Sequence, residues 1–183
     1  VKKVFILAIG LAVAAPSFAL FYEWEPNESA ATASLIHRDM GRWVDVGFAA
    51  LNNGADRDWF HIRMFAGEDI TAITTPRGNN DLSSPDTIMA LIGPNGTTIL
   101  AANDDAGGLG SAVRFRITQT GIYFIAITGF GAGDPLNINT YTNNSSHGQT
   151  GNYALTVSAV PEPATMAVFG LGLAAFAARR RRK

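Results

Sequence analysis

No cysteine occurs anywhere in the 183 residues. Disulfides, thiolate metal sites and cysteine nucleophiles are therefore excluded, and an oxidising environment poses no hazard to the chain. Lysine is missing between Lys3 and Lys183. Of the 14 lysines and arginines, five close the chain and two open it, so seven face all 15 acidic residues between positions 20 and 163. That stretch carries a formal charge of about −8, which argues against nucleic-acid binding and suits solubility or divalent cations. Signatures of catalysis are missing too. Neither Gly-x-Ser-x-Gly nor His-Glu-x-x-His occurs, no glycine-rich phosphate loop joins a strand to a helix, and His37, His61 and His147 are scattered. The expectation is a protein that is not an enzyme.

Two apolar runs stand at the ends. Lys2 and Lys3 precede the apolar Val4 to Ala15, and Ser17-Phe18-Ala19 is a small-x-small cleavage pattern. Together they predict a secretory signal peptide over residues 1–19, cut by signal peptidase between Ala19 and Leu20. At the other end Val160-Pro161-Glu162-Pro163 breaks the chain, an apolar run extends from Ala164 to Ala178, and Arg179, Arg180, Arg181, Arg182 and Lys183 follow. As a helix the run reaches about 22 Å at 1.5 Å per residue, short of the roughly 30 Å hydrocarbon core. The basic cluster behind it resists translocation and is drawn to anionic lipid. This succession over residues 160–183 resembles the PEP-CTERM sorting tail of Gram-negative envelope proteins. The resemblance implies cleavage by an exosortase-type protease near Pro161, Glu162 and Pro163. It also implies a precursor held transiently in the inner membrane by the hydrophobic helix, then delivered to the cell surface or outside.

Residues 20–159 suffice for one domain with a core of its own. Turn signals recur every eight to twelve residues or so, the spacing of an all-β sandwich or barrel. Ala112 to Ile117 alternates, with Val113, Phe115 and Ile117 on one face and Arg114 and Arg116 on the other. Ile122 to Thr128 is continuously apolar and predicts a central strand covered on both faces. Further strands are predicted at Val44 to Leu51, Trp59 to Phe65, Ile70 to Thr74, Asp86 to Ile92, Thr97 to Ala102 and around Tyr153, Leu155 and Val157. Gly93-Pro94-Asn95-Gly96 predicts a hairpin turn. Ser29 to Met40 offers at most a short turn or helix, and Trp24, Trp43 and Trp59 read as core or edge cover. Gly129 to Gly151 is longer than loops usually run in compact domains, which points to function or mobility.

Hard-oxygen side chains concentrate at two places. Glu23, Glu25, Asn27 and Glu28 fall within six residues, and Asp56 and Asp58 stand at the mouth of a strand. Calcium takes six to eight oxygens, and carboxylates from separate segments can supply them. Spacing alone leaves a solvated acidic terminus and an ordinary acidic turn equally open. Asn103-Asp104-Asp105-Ala106-Gly107-Gly108 reads as a turn rather than a second cation loop.

Glu-x-Glu-Pro-Asn, Asp-x-Asp-Trp-Phe, Asp86-Thr87-Ile88-Met89-Ala90-Leu91, Asn103-Asp104-Asp105, Thr120-Gly121-Ile122-Tyr123 and Gly151-Asn152-Tyr153-Ala154-Leu155 occur in that order. This succession resembles the bacterial pre-peptidase C-terminal domain, in the variant found in PEP-CTERM proteins. The resemblance implies a jelly-roll-like β-sandwich of about eight strands. It also implies calcium as a ligand of Glu23, Glu25, Asn27, Glu28, Asp56 and Asp58. The expected function is that of an exported envelope or matrix protein, structural or adhesive. A polysaccharide- or protein-binding module, with exopolysaccharide as the natural glycan, and an accessory domain or hydrolase are the rivals.

Overall fold

Alternating apolar and polar residues separated by glycine, asparagine and proline leave the backbone one economical arrangement, extended strands with one face turned inward. The computed structural model describes residues 18–37, 44–78, 84–143 and 146–160. Among these described residues ten strands and one short helix form: β1 (Phe18–Tyr22), β2 (Ser34–Leu35), β3 (Val44–Leu51), β4 (Asp58–Met64), β5 (Asp69–Arg77), β6 (Thr87–Ile92), β7 (Ile99–Asn103), β8 (Ala112–Arg116), β9 (Gly121–Gly129), α1 (Asn139–Thr142) and β10 (Gly151–Val160). They make two five-stranded sheets, in the orders β1-β3-β10-β5-β8 and β2-β4-β9-β6-β7. Both edge pairs at the N-terminal side, β1 with β3 and β2 with β4, are parallel, and the other pairs are antiparallel. The architecture is an all-β sandwich, as the turn spacing predicts.

The core lies between the sheets. Phe60, Ile62 and Met64 of β4 meet Ile70 and Ala72 of β5 and Leu155 and Val157 of β10 in one buried cluster. Val113 of β8 and the following Ile117 point inward while Arg114 and Arg116 are exposed, the alternation read from the sequence. Strand β9 sits centrally in its sheet, and β6 is buried throughout, covered on both faces. A second cluster lies outside that sheet, where Trp59, Ala90, Ile92 and Ala126 pack against Tyr141 of α1. The long 129–151 connection is therefore the cover of this outer face.

Within residues 29–37 the expected short turn forms, the Thr32 amide donating to Ser29 O at 3.1 Å, and the unforeseen strand β2 follows it; residues 38–40 lie outside the described residues. Alanine's helix propensity loses there to tertiary contacts: Ser34 accepts the Trp24 amide, and Ile36 is buried in the core. Trp59 is buried as expected, but Trp24 is corrected: it is 79% exposed and no part of the core. Strand β1 was not foreseen, and it begins at Phe18, two residues before the predicted cleavage point. Its Phe21 enters the core and meets Phe60 edge-on at 5.7 Å. Glycine at position 47 makes room for it, since a Cβ there would overlap the Phe21 ring.

Residues 1–17 and 161–183 lie outside the described residues, and with them most of the predicted signal peptide, the Pro161-Glu162-Pro163 motif, the 164–178 apolar run, the closing basic cluster and, within the body, Trp43. Among the described residues no helix is long and apolar enough to cross a membrane.

Candidate metal centre

Phe21 anchors β1, so the chain leaving Tyr22 is delivered to one end of the sandwich, where β3 turns over into β4. Residues 23–28 then cross that end and join β4, the Trp59 amide donating to Asn27 O at 2.9 Å. All six predicted ligands meet there. Oxygens of Glu23, Glu25 and Asp58 lie within 4.8 Å of one another, as do those of Glu25, Glu28 and Asp56, so Glu25 belongs to both groups. Asn27, fully buried, stands between them, its Nδ2 donating to Glu23 Oε1 at 3.0 Å.

The surrounding bonds fix these side chains in place. Glu23 Oε2 accepts the Ala50 amide at 2.9 Å, Glu25 Oε1 accepts Asn52 Nδ2 at 2.8 Å, and Asp56 accepts the Asn52 and Arg57 amides. Asp58 Oδ2 accepts the Tyr153 hydroxyl. Two oxygens are left over. Asp58 Oδ1 and Asn27 Oδ1 are buried and receive no hydrogen bond. Buried acceptors without a donor are uncommon in folded proteins and call for an ion or a proton.

Electrostatics say the same. Burial, then Glu23, holds the Asp58 carboxyl well above the usual carboxylate range, against the opposing hydrogen bond from Tyr153. Glu25 is raised first by burial and then by the charges of Asp56 and Glu23. Burial and the charge of Asp58 push the Tyr153 hydroxyl far up, which keeps it a donor. Four of the six side chains thus share a pocket in which their own charges repel. The donor set is entirely hard oxygen, five carboxylates and an amide carbonyl, the kind of donor that calcium takes.

Two residues complete the frame without having been singled out. Asn52 bridges both segments by bonding Glu25 and Asp56, and Tyr153 closes the floor. His147 is a positioning group: Nδ1 accepts the Gln149 amide at 3.0 Å, so Nε2 carries the proton and donates to Asp56 O at 3.0 Å. His61 Nδ1 bonds Ala33 O, and His37 is exposed. No histidine joins a group of prospective ligands among the described residues.

A second carboxylate group, Asp86 with Asp104 and Asp105, gathers where β6 starts and β7 ends. Residues 103–108 form the expected turn, with Asn103 Nδ2 donating to Asp105 O and the Ala106 amide to Gly110 O, and the turn itself brings Asp104 and Asp105 to Asp86. Asp86 was missed, although the hairpin pairing of Met89 with Asn103 brings it to Asp104. Burial, then the neighbouring aspartates, raises both Asp86 and Asp104.

Comparison with curated proteins returned no match. Among solved structures, the chain is similar to PliG, a periplasmic inhibitor of g-type lysozyme, from Aeromonas hydrophila, at 12% identity and a TM-score of 0.49 over 79% of this chain and 100% of that one. PliG from Salmonella Typhimurium gives 13% identity and a TM-score of 0.43, covering 70% and 97%. The pre-peptidase C-terminal domain of a Bacillus anthracis collagenase gives 9% and 0.39, covering 80% and 98%. Residues 159–182 match the PEP-CTERM protein-sorting motif. The chain thus carries the sorting tail of an exported protein, held in the membrane before an exosortase-type system processes it.

Proposed function

We propose that the chain is a non-enzymatic component of the cell envelope or extracellular matrix, structural or adhesive in role, whose sandwich is braced by calcium. The observation that carries this reading is the meeting of residues 23–28 with Asp56 and Asp58 around two buried oxygens that lack donors. A cation there would neutralise the repelling carboxylates and tie the segment after β1 to the β3–β4 connection. Outside the cell, millimolar calcium can sustain even a weak site. The N-terminal segment would then resist fraying and proteolysis.

Melting the protein with a chelator and with millimolar calcium tests this. At a hundredfold excess over Kd the ion should add about 2.7 kcal/mol, a rise of roughly 6–10 °C for a domain of this size. Unchanged melting, with no heat in calorimetry, would dispose of the calcium brace.

A binding role has its own observation. An open groove of about 470 Å³ runs along the outer face of the first sheet beside the metal centre, lined by Tyr22, Phe48, Arg77 and Asn152 among others. Tyr22 is 60% exposed, and the Arg77 guanidinium lies 4.7 Å from the centre of the Phe48 ring. Exposed aromatic faces beside amide and guanidinium donors suit a sugar chain. Binding to an exopolysaccharide on a glycan array, lost in Tyr22→Ala with melting unchanged, is the expected outcome of that second reading; an array with no signal ends it.

A further inference from the structure

Backbone pairing places the two ends of the domain side by side. Phe18 pairs with Val44, and Val44 pairs in turn with Ser158, so the start of β1 and the finish of β10 share one end of the same sheet. At about 4.8 Å per strand they are two strands, roughly 10 Å, apart. Strand β10 lies between β3 and β5 and stays paired as far as Val160, opposite Asp69. The connecting lengths are short. Only residues 16 and 17 separate the first apolar run from Phe18, and only 161–163 separate Val160 from the second. Fully extended, such linkers span about 7–14 Å.

Charge is distributed along the same axis. Both carboxylate groups described above, around Glu25 and around Asp104, lie at the far end, where β3 turns into β4 and β6 begins. From Val160 to Tyr153, beside Asp58, β10 rises about 23 Å. The near end carries the turn before β5, the turn from β8 to β9 and the hairpin between β6 and β7. There Arg114 and Arg116 stand 3.6 and 3.8 Å from Asp69, which offsets its charge. An anionic bilayer repels the acidic end and tolerates the other, and the repulsion acts over about 10 Å.

We propose that in the doubly tethered precursor the sandwich stands on the end that bears Phe18 and Val160. That end is a lipid-facing surface, and the metal centre points away from the bilayer into the aqueous space. The two cleavage points then lie next to each other under one face of a folded domain. This inference rests on the export reading.

The absence of cysteine makes the test direct. Single variants Gln119→Cys, in the exposed β8–β9 turn, and Asn53→Cys, in the exposed β3–β4 turn, are labelled with a fluorophore in the full chain. The labelled chains are reconstituted into phosphatidylglycerol–phosphatidylethanolamine vesicles containing a headgroup quencher. The label at position 119 should be quenched several-fold more strongly than that at position 53. Equal or reversed quenching in vesicle-bound protein overturns the orientation and leaves export standing. Protein that floats free of the vesicles overturns both.

Discussion

Trp59→Ala should lower the stability of the domain by about 3–5 kcal/mol, the range for removing a large buried aromatic side chain, and its melting temperature by roughly 10–15 °C. Trp59 is 1% exposed, meets Phe124 edge-on at 6.0 Å, and donates from Nε1 to Tyr141 O at 3.0 Å. Its loss leaves a cavity under α1 and takes the indole donor from that carbonyl. At residues 134–142 the connection is held by this contact and by local bonds such as Thr140 Oγ1 to Asp134 O, whereas His147 ties its later part to Gly54 O and Asp56 O. Limited proteolysis should therefore cut first within that connection in the variant. Trp59→Phe keeps most of the packing, loses one hydrogen bond, and should cost only about 1–2 kcal/mol. Equal melting for the two variants would mean that the long connection does not pack on the sheet as described.

The strands were legible where one force dominates. Alternation along β4, β8 and β10 and the unbroken apolar run of β9 reflect burial on one face or both, and each strand formed where the pattern put it. Sheet membership was not legible. The turns at Gly67 and at Thr118 to Gly121 read as ordinary reversals, yet each carries the chain from one sheet to the other. Period-two alternation records which side of a strand is buried but not which neighbour it pairs with. Strand β2 escaped because it is two residues long, and β1 because its start reads as the signal cleavage site; their parallel pairings accompany Phe21 and Ile36 entering the core. The six carboxylate and amide positions were legible as two clusters of hard oxygen, and a family resemblance joined them into one ligand set. What makes them a centre is the crossing of residues 23–28 over the β3–β4 connection, a tertiary event that no local spacing encodes. Asn52, Tyr153 and Asp86 were invisible for the same reason.

The calcium brace predicts a reversal that depends on Asp58. Its folded-state pKa is raised, so without a cation its contribution to stability is fully present below the unfolded carboxylate value, about 3.9, and is lost as pH rises through the elevated folded value. Glu25 shifts in the same direction. In chelator at pH 7, Asp58→Asn should therefore be at least as stable as the unaltered protein: it keeps an acceptor for Tyr153 and directs an amide donor at Glu23 in place of a charge. In millimolar calcium the order should invert, because the ion needs the ionised carboxylate and binds the variant more weakly. The calcium-dependent gain in melting temperature of the unaltered protein should grow as pH rises from the ordinary carboxylate range through the elevated folded values of Asp58 and Glu25, as protons cease to compete. In the variant the gain should be smaller and flatter with pH. Melting curves at several pH values, with chelator and with calcium, for the two proteins measure all four quantities. If Asp58→Asn is the less stable protein in both solutions at pH 7, Asp58 serves the fold as an ordinary hydrogen-bond acceptor and holds no ion.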